Sequence, residues 1–390
     1  MEFDFSPSEE QFRAELRRLL AQHLPSDWSS RSLAQAPDGE ERRALAQVIS
    51  KQLAERRWLA MAWPKEHGGI DASYVEQLIF NEEMAYLDAP GNGGVGVSSV
   101  GPAIMMHGTE AQKRLYLPRI AGAEDTWCAL YSEPSAGSDL ASIQTRAVRD
   151  GDEYVVTGTK LWVAGAQDAN MGYLAARTDP NAPKHRGIST FILPMDSAGV
   201  SMRPIASMAG DAYLTEVHLD RVRIPAHNLV GVENRGWYQL ARTLDFERSS
   251  VAAYAGGKRN VERLVNLVKE DGDLVRQHPS ARYALADRWI EMEVGFNIAY
   301  RIPWMQTQGI SPNYEASVSK LYGSELTQRI AGTGMQLLGY AGLLVPGSPL
   351  APFGGGMARS YLDSVGSTIA GGTSEVQRNI IAQRGLGLPR

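Results

Sequence analysis

A mainly α fold with a central β domain is what this chain predicts, on three observations. Apolar residues recur at helical spacing over roughly the first third and again over the last 150 or so residues. Between them, short strand-like runs are separated by turn signals such as Asp150-Gly151 and Asp179-Pro180. Capping boxes mark the helix starts before and not within that middle stretch. The expected order is an N-terminal helical domain over 1–126, a small antiparallel sheet or barrel over 127–235, and a C-terminal four-helix bundle over 236–390.

The elements follow in order. Ser6-Pro7-Ser8-Glu9 reads as a capping box with proline at the first helical position, followed by Phe12, Leu16, Leu19, Leu20 and Leu24 at helical spacing. Residues 29–42, with Pro37, Asp38 and Gly39, read as an exposed loop. A helix after Asp71 is expected to turn Tyr74, Leu78 and Ile79 inward. Another starts at Thr109, with Gln112 completing a capping box before Leu115, Leu117 and Ile120. The glycine-rich run 91–96 has no following Lys-Ser/Thr pair and no preceding strand, so it reads as a connection rather than a phosphate loop. In the middle zone, Tyr154–Val156, Leu161–Val163, Ile188–Leu193 and Val217–Leu219 are the strand candidates. Strand-helix alternation and a Gly-x-Gly-x-x-Gly after a strand are both missing, which argues against a dinucleotide-binding Rossmann domain. Farther on, Trp237, Leu240, Leu244, Val251 and Tyr254 form one stripe. Leu285, Ile290, Met292 and Phe296 mark a second helix after Pro279. A third starts at Ser311-Pro312 and runs through Val318 and Leu321 toward Leu337. A fourth spans 373–383, capped by Thr373 or Ser374.

With 390 residues the chain has room for two or three structural units, and 43% apolar against 21% charged residues is a soluble, globular balance. A net charge of -5 argues against a nucleic-acid partner. The single cysteine, Cys128, rules out an intramolecular disulfide and a multi-thiolate metal site, and no metal is expected. Neither a basic-then-apolar leader nor a membrane-length apolar run is visible, so a cytoplasmic location is expected.

Tyr131-Ser132-Glu133-Pro134-Ser135-Ala136-Gly137-Ser138-Asp139 is a turn-rich loop offering hydroxyls and backbone N–H groups. It is followed by Gly158-Thr159-Lys160-Leu161-Trp162, a strand carrying one large aromatic. Such a pair suits a flat, phosphorylated cofactor: the loop cradles polar edges and the indole covers a ring. Together with Gly372-Thr373-Ser374-Glu375-Val376-Gln377-Arg378-Asn379 near the end, these segments resemble the acyl-CoA dehydrogenase family over nearly the whole chain. The resemblance implies FAD, an acyl-CoA substrate, desaturation at the α–β bond, and electron-transfer flavoprotein as acceptor. It places Tyr131 and Ser132 at the flavin ring edge, Trp162 on the ring, and Gly137 and Ser138 at the flavin phosphates or the pantetheine of the substrate. Gly372 and Thr373 match the turn facing the flavin. Glu375 and Gln377 match residues holding the nucleotide. Gln336 and Gly339 match a segment lent to a neighbouring subunit's FAD.

Desaturation needs a base for the α-proton. Many members of the family carry it just before the Gly-Thr turn, where this chain has Gly371. Other branches carry it as the Glu of a Glu-Arg pair, which Glu247-Arg248 matches, with Arg248 toward substrate. On a helical wheel of about 100° per residue, Glu247 falls at the edge of the Trp237–Leu244–Val251 stripe. A structural ion pair fits that placement as well as a base does, and the family pattern selects the base. Two further departures stand out. Ala164 replaces the usual Thr or Ser two residues after the Trp, and residues 269–279 lack the Arg-x-x-Phe-Gly clamp that normally reaches a neighbour's FAD. Similar losses, and an ending like 383–390, resemble an actinobacterial group acting on steroid side chains as heterotetramers. A homo- or hetero-oligomer acting on a bulky acyl-CoA is therefore expected. The alternatives are an oxidase of the same fold and a non-catalytic subunit that completes a partner's FAD site.

Overall fold

The computed structural model describes residues 4–31, 33, 39–243, 250–271, 276 and 278–389. The chain divides into two compact units, one of Met1–Gly39, Ser73–Pro90 and Arg248–Arg390, the other of Glu40–Ala72 and Gly91–Glu247.

The second unit holds the sheet. Its strands are β1 (Trp127–Leu130), β2 (Arg146–Asp150), β3 (Glu153–Ala164), β4 (Met171–Arg177), β5 (Ile188–Pro194), β6 (Val200–Ile205), β7 (Leu214–Pro225) and β8 (Leu229–Val230), in the order β6-β7-β3-β2-β4-β5-β8, with β1 on β4. Most neighbours are antiparallel, while β1–β4 and the single β2–β4 pairing are parallel. The two apolar runs at 154–156 and 161–163 belong to one long strand, β3, since Gly158 and Lys160 interrupt the pattern without ending the ladder. One sheet core is built on Tyr154, Val156, Leu174, Phe191 and Val217. Another joins Tyr173, Ile188 and Ile192 to Trp63, Ile104, Leu117 and Leu240. The helices Gly101–His107, Glu110–Ala121 and Gly236–Thr243 contribute to it, and Glu40–Glu55 belongs to the same unit. The glycine-rich connection leads into a wide turn, Gly96–Val100, whose close packing excludes larger side chains: a Cβ on Gly101 would lie 2.0 Å from the Trp63 ring. Thr109 and Gln112 form the expected reciprocal cap, and Leu117 and Ile120 are buried, but Leu115 faces out.

The first unit is helical. Ser6 and Glu9 cap Pro7–His23, and Ser73 and Glu76 cap Tyr74–Tyr86. Leu78 and Ile79 point inward there, whereas Tyr74 at the first turn is exposed. The long helices Val251–Glu270, Ala281–Thr307 and Glu315–Leu338 pack around Tyr254, Met292, Phe296 and Leu326. Ile290, expected inside, lies on the outer face of its helix. Gly356–Ser367 and Ser374–Ile380 complete the unit. Buried Glu83 ties two of these helices together, accepting a two-pronged bond from Arg17 at 2.7 and 2.8 Å. The stripe from Trp237 to Tyr254 is split: Trp237 and Leu240 pack in the sheet unit, Val251 and Tyr254 in the helical one.

Candidate functional site

Trp162 stands where β3 departs from regular pairing. Lys160 faces Val217 and Val163 faces Thr215 on β7, so Leu161 and Trp162 together oppose one residue. That is a β-bulge, and Trp162 takes the left-handed backbone, φ 61°, that redirects a side chain out of the ladder. A bulky L-residue pays strain there, which marks the position as one fixed by its surroundings. Its indole is 57% exposed, unusual for a tryptophan in mid-strand.

The loop after β1 fills the bulge. The Leu161 N–H, with no ladder partner, donates to the Ser132 carbonyl at 2.9 Å. Lys160 Nζ donates to the Tyr131 carbonyl at 3.0 Å and to Glu133 Oε1 at 2.8 Å, with no side-chain exposure to solvent. Glu133 also accepts the backbone N–H groups of Gln144 and, at 2.9 Å, Thr145. Burial pushes Lys160 down to about 8 against the raising effect of Glu133. Burial works on Glu133 in the other direction, but Lys160 and the N–H donors outweigh it and hold that carboxyl below its ordinary value. A second buried cation, Arg177 at the end of β4, donates to the carbonyls of Ala141 and Ile143 on one side and Lys184 and Arg186 on the other. The loop from Tyr131 to Thr145 is thus tied at both ends, with Ser135, Gly137 and Ser138 exposed along its outer run.

These features fit a flavin. An aromatic plane lies open beside a loop of small residues. A Cβ on Gly137 would meet nothing within 4 Å, leaving room for a phosphate to approach the backbone. The Tyr131 hydroxyl is enclosed and has no hydrogen-bond partner among the described residues. Tyr131 packs edge-on against Tyr173 at 6.2 Å, and burial drives its hydroxyl pKa upward. Ala164, exposed two residues after Trp162, brings no hydroxyl.

The remaining candidates lie on the helical unit. Gly371 and Gly372 have φ 66° and 94°, a turn that glycine adopts without strain. The Gly372 carbonyl is held by Lys320 Nζ at 2.6 Å, and Gln377, itself buried, donates to the Gly371 carbonyl at 3.2 Å. Thr373 caps the following helix through the Val376 N–H, and Glu375 lies exposed in its first turn. Gln336 and Gly339 are exposed at the end of Glu315–Leu338. Glu247 and Arg248 fall outside the described residues. Sequence reading missed Lys160 and Arg177, since an isolated basic residue in a strand looks like solvent-facing charge. No three-residue cluster of metal-ligating side chains occurs among the described residues, and no helix among them is long and apolar enough to cross a membrane.

Comparison with known proteins gives this arrangement its context. The family description "Acyl-CoA dehydrogenase, N-terminal domain" matches residues 6–124, the "middle domain" 128–222 and the "C-terminal domain" 234–386. The chain is 36% identical to acyl-CoA dehydrogenase FadE26 of Mycobacterium tuberculosis, over 100% of this chain and 99% of that protein. It is 34% identical to acyl-CoA dehydrogenase IpdE1 of the same organism, over 98% of each. Among solved structures, the steroid acyl-CoA dehydrogenase Tcur3481-Tcur3483 superposes with a TM-score of 0.91 at 35% identity, covering 100% of both chains. The ChsE4-ChsE5 complex from Mycobacterium tuberculosis superposes at 0.87 with 36% identity, again over 100% of both. With all three domain descriptions matched in order, and with relatives aligned end to end, this chain belongs to the acyl-CoA dehydrogenase family of FAD-dependent enzymes that desaturate acyl-CoA thioesters.

Proposed function

We propose that this chain is a catalytic subunit that desaturates a bulky, steroid-type acyl-CoA, with Glu247 as base, in an assembly with an unlike member of its family. The observation that carries the catalytic reading is the exposed indole of Trp162, set by its bulge beside the half-buried Tyr131 and Ser132 on the sheet unit. Bound FAD supplies the acceptor for the β-hydride. The chain supplies the rest. Trp162 covers one face of the ring, and Tyr131 and Ser132 meet its edge. Gly137 and Ser138 take phosphate or pantetheine oxygens. On the helical unit, Gly372 and Thr373 form the turn that faces a flavin, Glu375 and Gln377 help hold a nucleotide, and Gln336 and Gly339 reach a neighbour's FAD. Ala164 leaves N–H rather than hydroxyl chemistry at its place.

Glu247 takes the α-proton, with Arg248 steering the thioester. A carboxylate enclosed beside an apolar acyl group is a stronger base than one in water, because burial disfavours its charge. The substrate class rests on end-to-end similarity to a solved steroid acyl-CoA dehydrogenase, on the clamp missing from 269–279 and on the ending 383–390. The unlike partner rests on the missing arginine clamp in 269–279, together with relatives solved as pairs named for two gene products. We place the enzyme in the cytoplasm, with electron-transfer flavoprotein taking its electrons. Gly371 and the missing clamp are what a non-catalytic subunit would share, but the dehydrogenase relatives, Glu247 and an almost complete ring-side motif favour the catalytic reading. Anaerobic addition of steroid side-chain acyl-CoA to the flavin-loaded protein tests the proposal. Bleaching of the flavin by the steroid thioester, faster than by straight-chain thioesters, is the expected result. Bleaching only by short straight chains would reverse the substrate assignment.

A further inference from the structure

We propose that the buried Lys160–Glu133 pair is a positioning element that sets the ring-edge loop and Trp162 in register, so that flavin affinity depends on it more than folding does. The inference rests on the reading of Tyr131, Ser132 and Trp162 as the flavin platform.

Three successive loop residues are fixed to two successive strand residues. The Tyr131 carbonyl binds Lys160 Nζ, the Ser132 carbonyl binds the Leu161 N–H, and the Glu133 carboxylate binds Lys160 Nζ again. The next residue along the strand is Trp162. Edge and face of the platform are therefore linked through Lys160 and the Leu161 N–H. The carboxylate also cinches the far end of the loop, accepting from the N–H groups of Gln144 and Thr145. Every acceptor site used on Glu133 faces a donor. An ion pair so deeply buried is costly to desolvate, and an apolar pair of similar volume often serves stability as well. What an apolar pair does not supply is direction. It holds neither the Tyr131 carbonyl nor the two N–H groups, and the loop is free to drift from the bulge.

Glu133→Gln is the sharpest probe. Its amide keeps one acceptor and turns an NH2 toward a donor whichever way it is rotated. Glu133→Gln/Lys160→Met removes both charges at similar volume. Asn228→Ala, which loses a buried bond to the Ile192 carbonyl in the same unit, is the control for general destabilisation. Each full-length protein is titrated with FAD by fluorescence, the visible spectrum of the bound flavin is recorded, and the flavin-free protein is melted. The expected result is a tenfold or greater rise in the FAD dissociation constant and an altered flavin spectrum for both pair variants. Asn228→Ala, with an equal or larger loss of melting temperature, should keep wild-type affinity and spectrum. If the double variant does not fold, Glu133→Gln alone decides. Affinity and spectrum unchanged, or lost only in proportion to melting temperature as in the control, would overturn the proposal. A wild-type protein that takes up no FAD even after an unlike family member is added would instead fail the platform reading itself.

Discussion

Trp162 carries two burdens, an exposed indole and a left-handed backbone at φ 61°. The second costs an L-residue about 1–2 kcal/mol, which glycine does not pay. Two substitutions separate the burdens. Trp162→Ala and Trp162→Gly should both weaken FAD binding by roughly 1–3 kcal/mol, the scale of aromatic stacking on a flat ring. The flavin-free glycine variant should nonetheless be the more stable of the two by about 1 kcal/mol. Fluorescence titration and thermal melting read the two effects. Equal FAD affinity in wild type and variants would place the indole in a merely structural role. Glu247→Gln removes a carboxylate with little change in volume. It should fold and retain flavin yet lose bleaching by acyl-CoA in stopped-flow absorbance, and wild-type bleaching would eliminate Glu247 as the base.

At the scale of elements, β3 approaches Thr145, the residue before β2, so closely at Gly158 that a Cβ there would lie 2.3 Å from the Thr145 hydroxyl and 2.7 Å from its Cα. Gly158→Ala should therefore force the strands apart beside the Glu133 cinch, costing about 1–3 kcal/mol as overpacking; denaturant melts check it. Acid should loosen the same unit. Glu133 and Asp125 have pKa values held below the ordinary 4.5 and 3.8. For Asp125, burial opposes the shift, but bonds from Arg119 and Asn170 prevail. The unfolded chain takes up these protons first, so their stabilisation is complete above the ordinary values and is lost as pH falls through the lower folded ones. Melting temperature should drop below about pH 4.5, and Glu133→Gln should flatten that slope. Helix starts were legible because a cap is local: Ser6 with Glu9 and Thr109 with Gln112 are each three residues apart, whereas sequence reading missed the equally local Ser73–Glu76 cap. The helix Glu40–Glu55 was not, because its first turn is entirely charged and only Ile49 and Leu53 are buried. Strand β4, buried along its whole length, has no alternation to read, and the partner of Lys160 lies 27 residues away.

Across the whole molecule, the motif-bearing segments were readable because each is continuous in sequence. What unites distant segments was not, since the division into units interleaves the N-terminal stretches with the rest of the chain. On the proposed function, this chain holds the flavin ring but lacks one nucleotide clamp. Each charge-assisted bond missing at a phosphate costs roughly 1.5–3 kcal/mol, one to two powers of ten in affinity. The most direct test is the number of FAD molecules per chain, measured by absorbance on the purified protein after gel filtration without any partner. The account predicts a value well below one that falls further on dilution and rises, with activity, when an unlike family member is added. A stable assembly of identical chains that keeps one FAD each would contradict it.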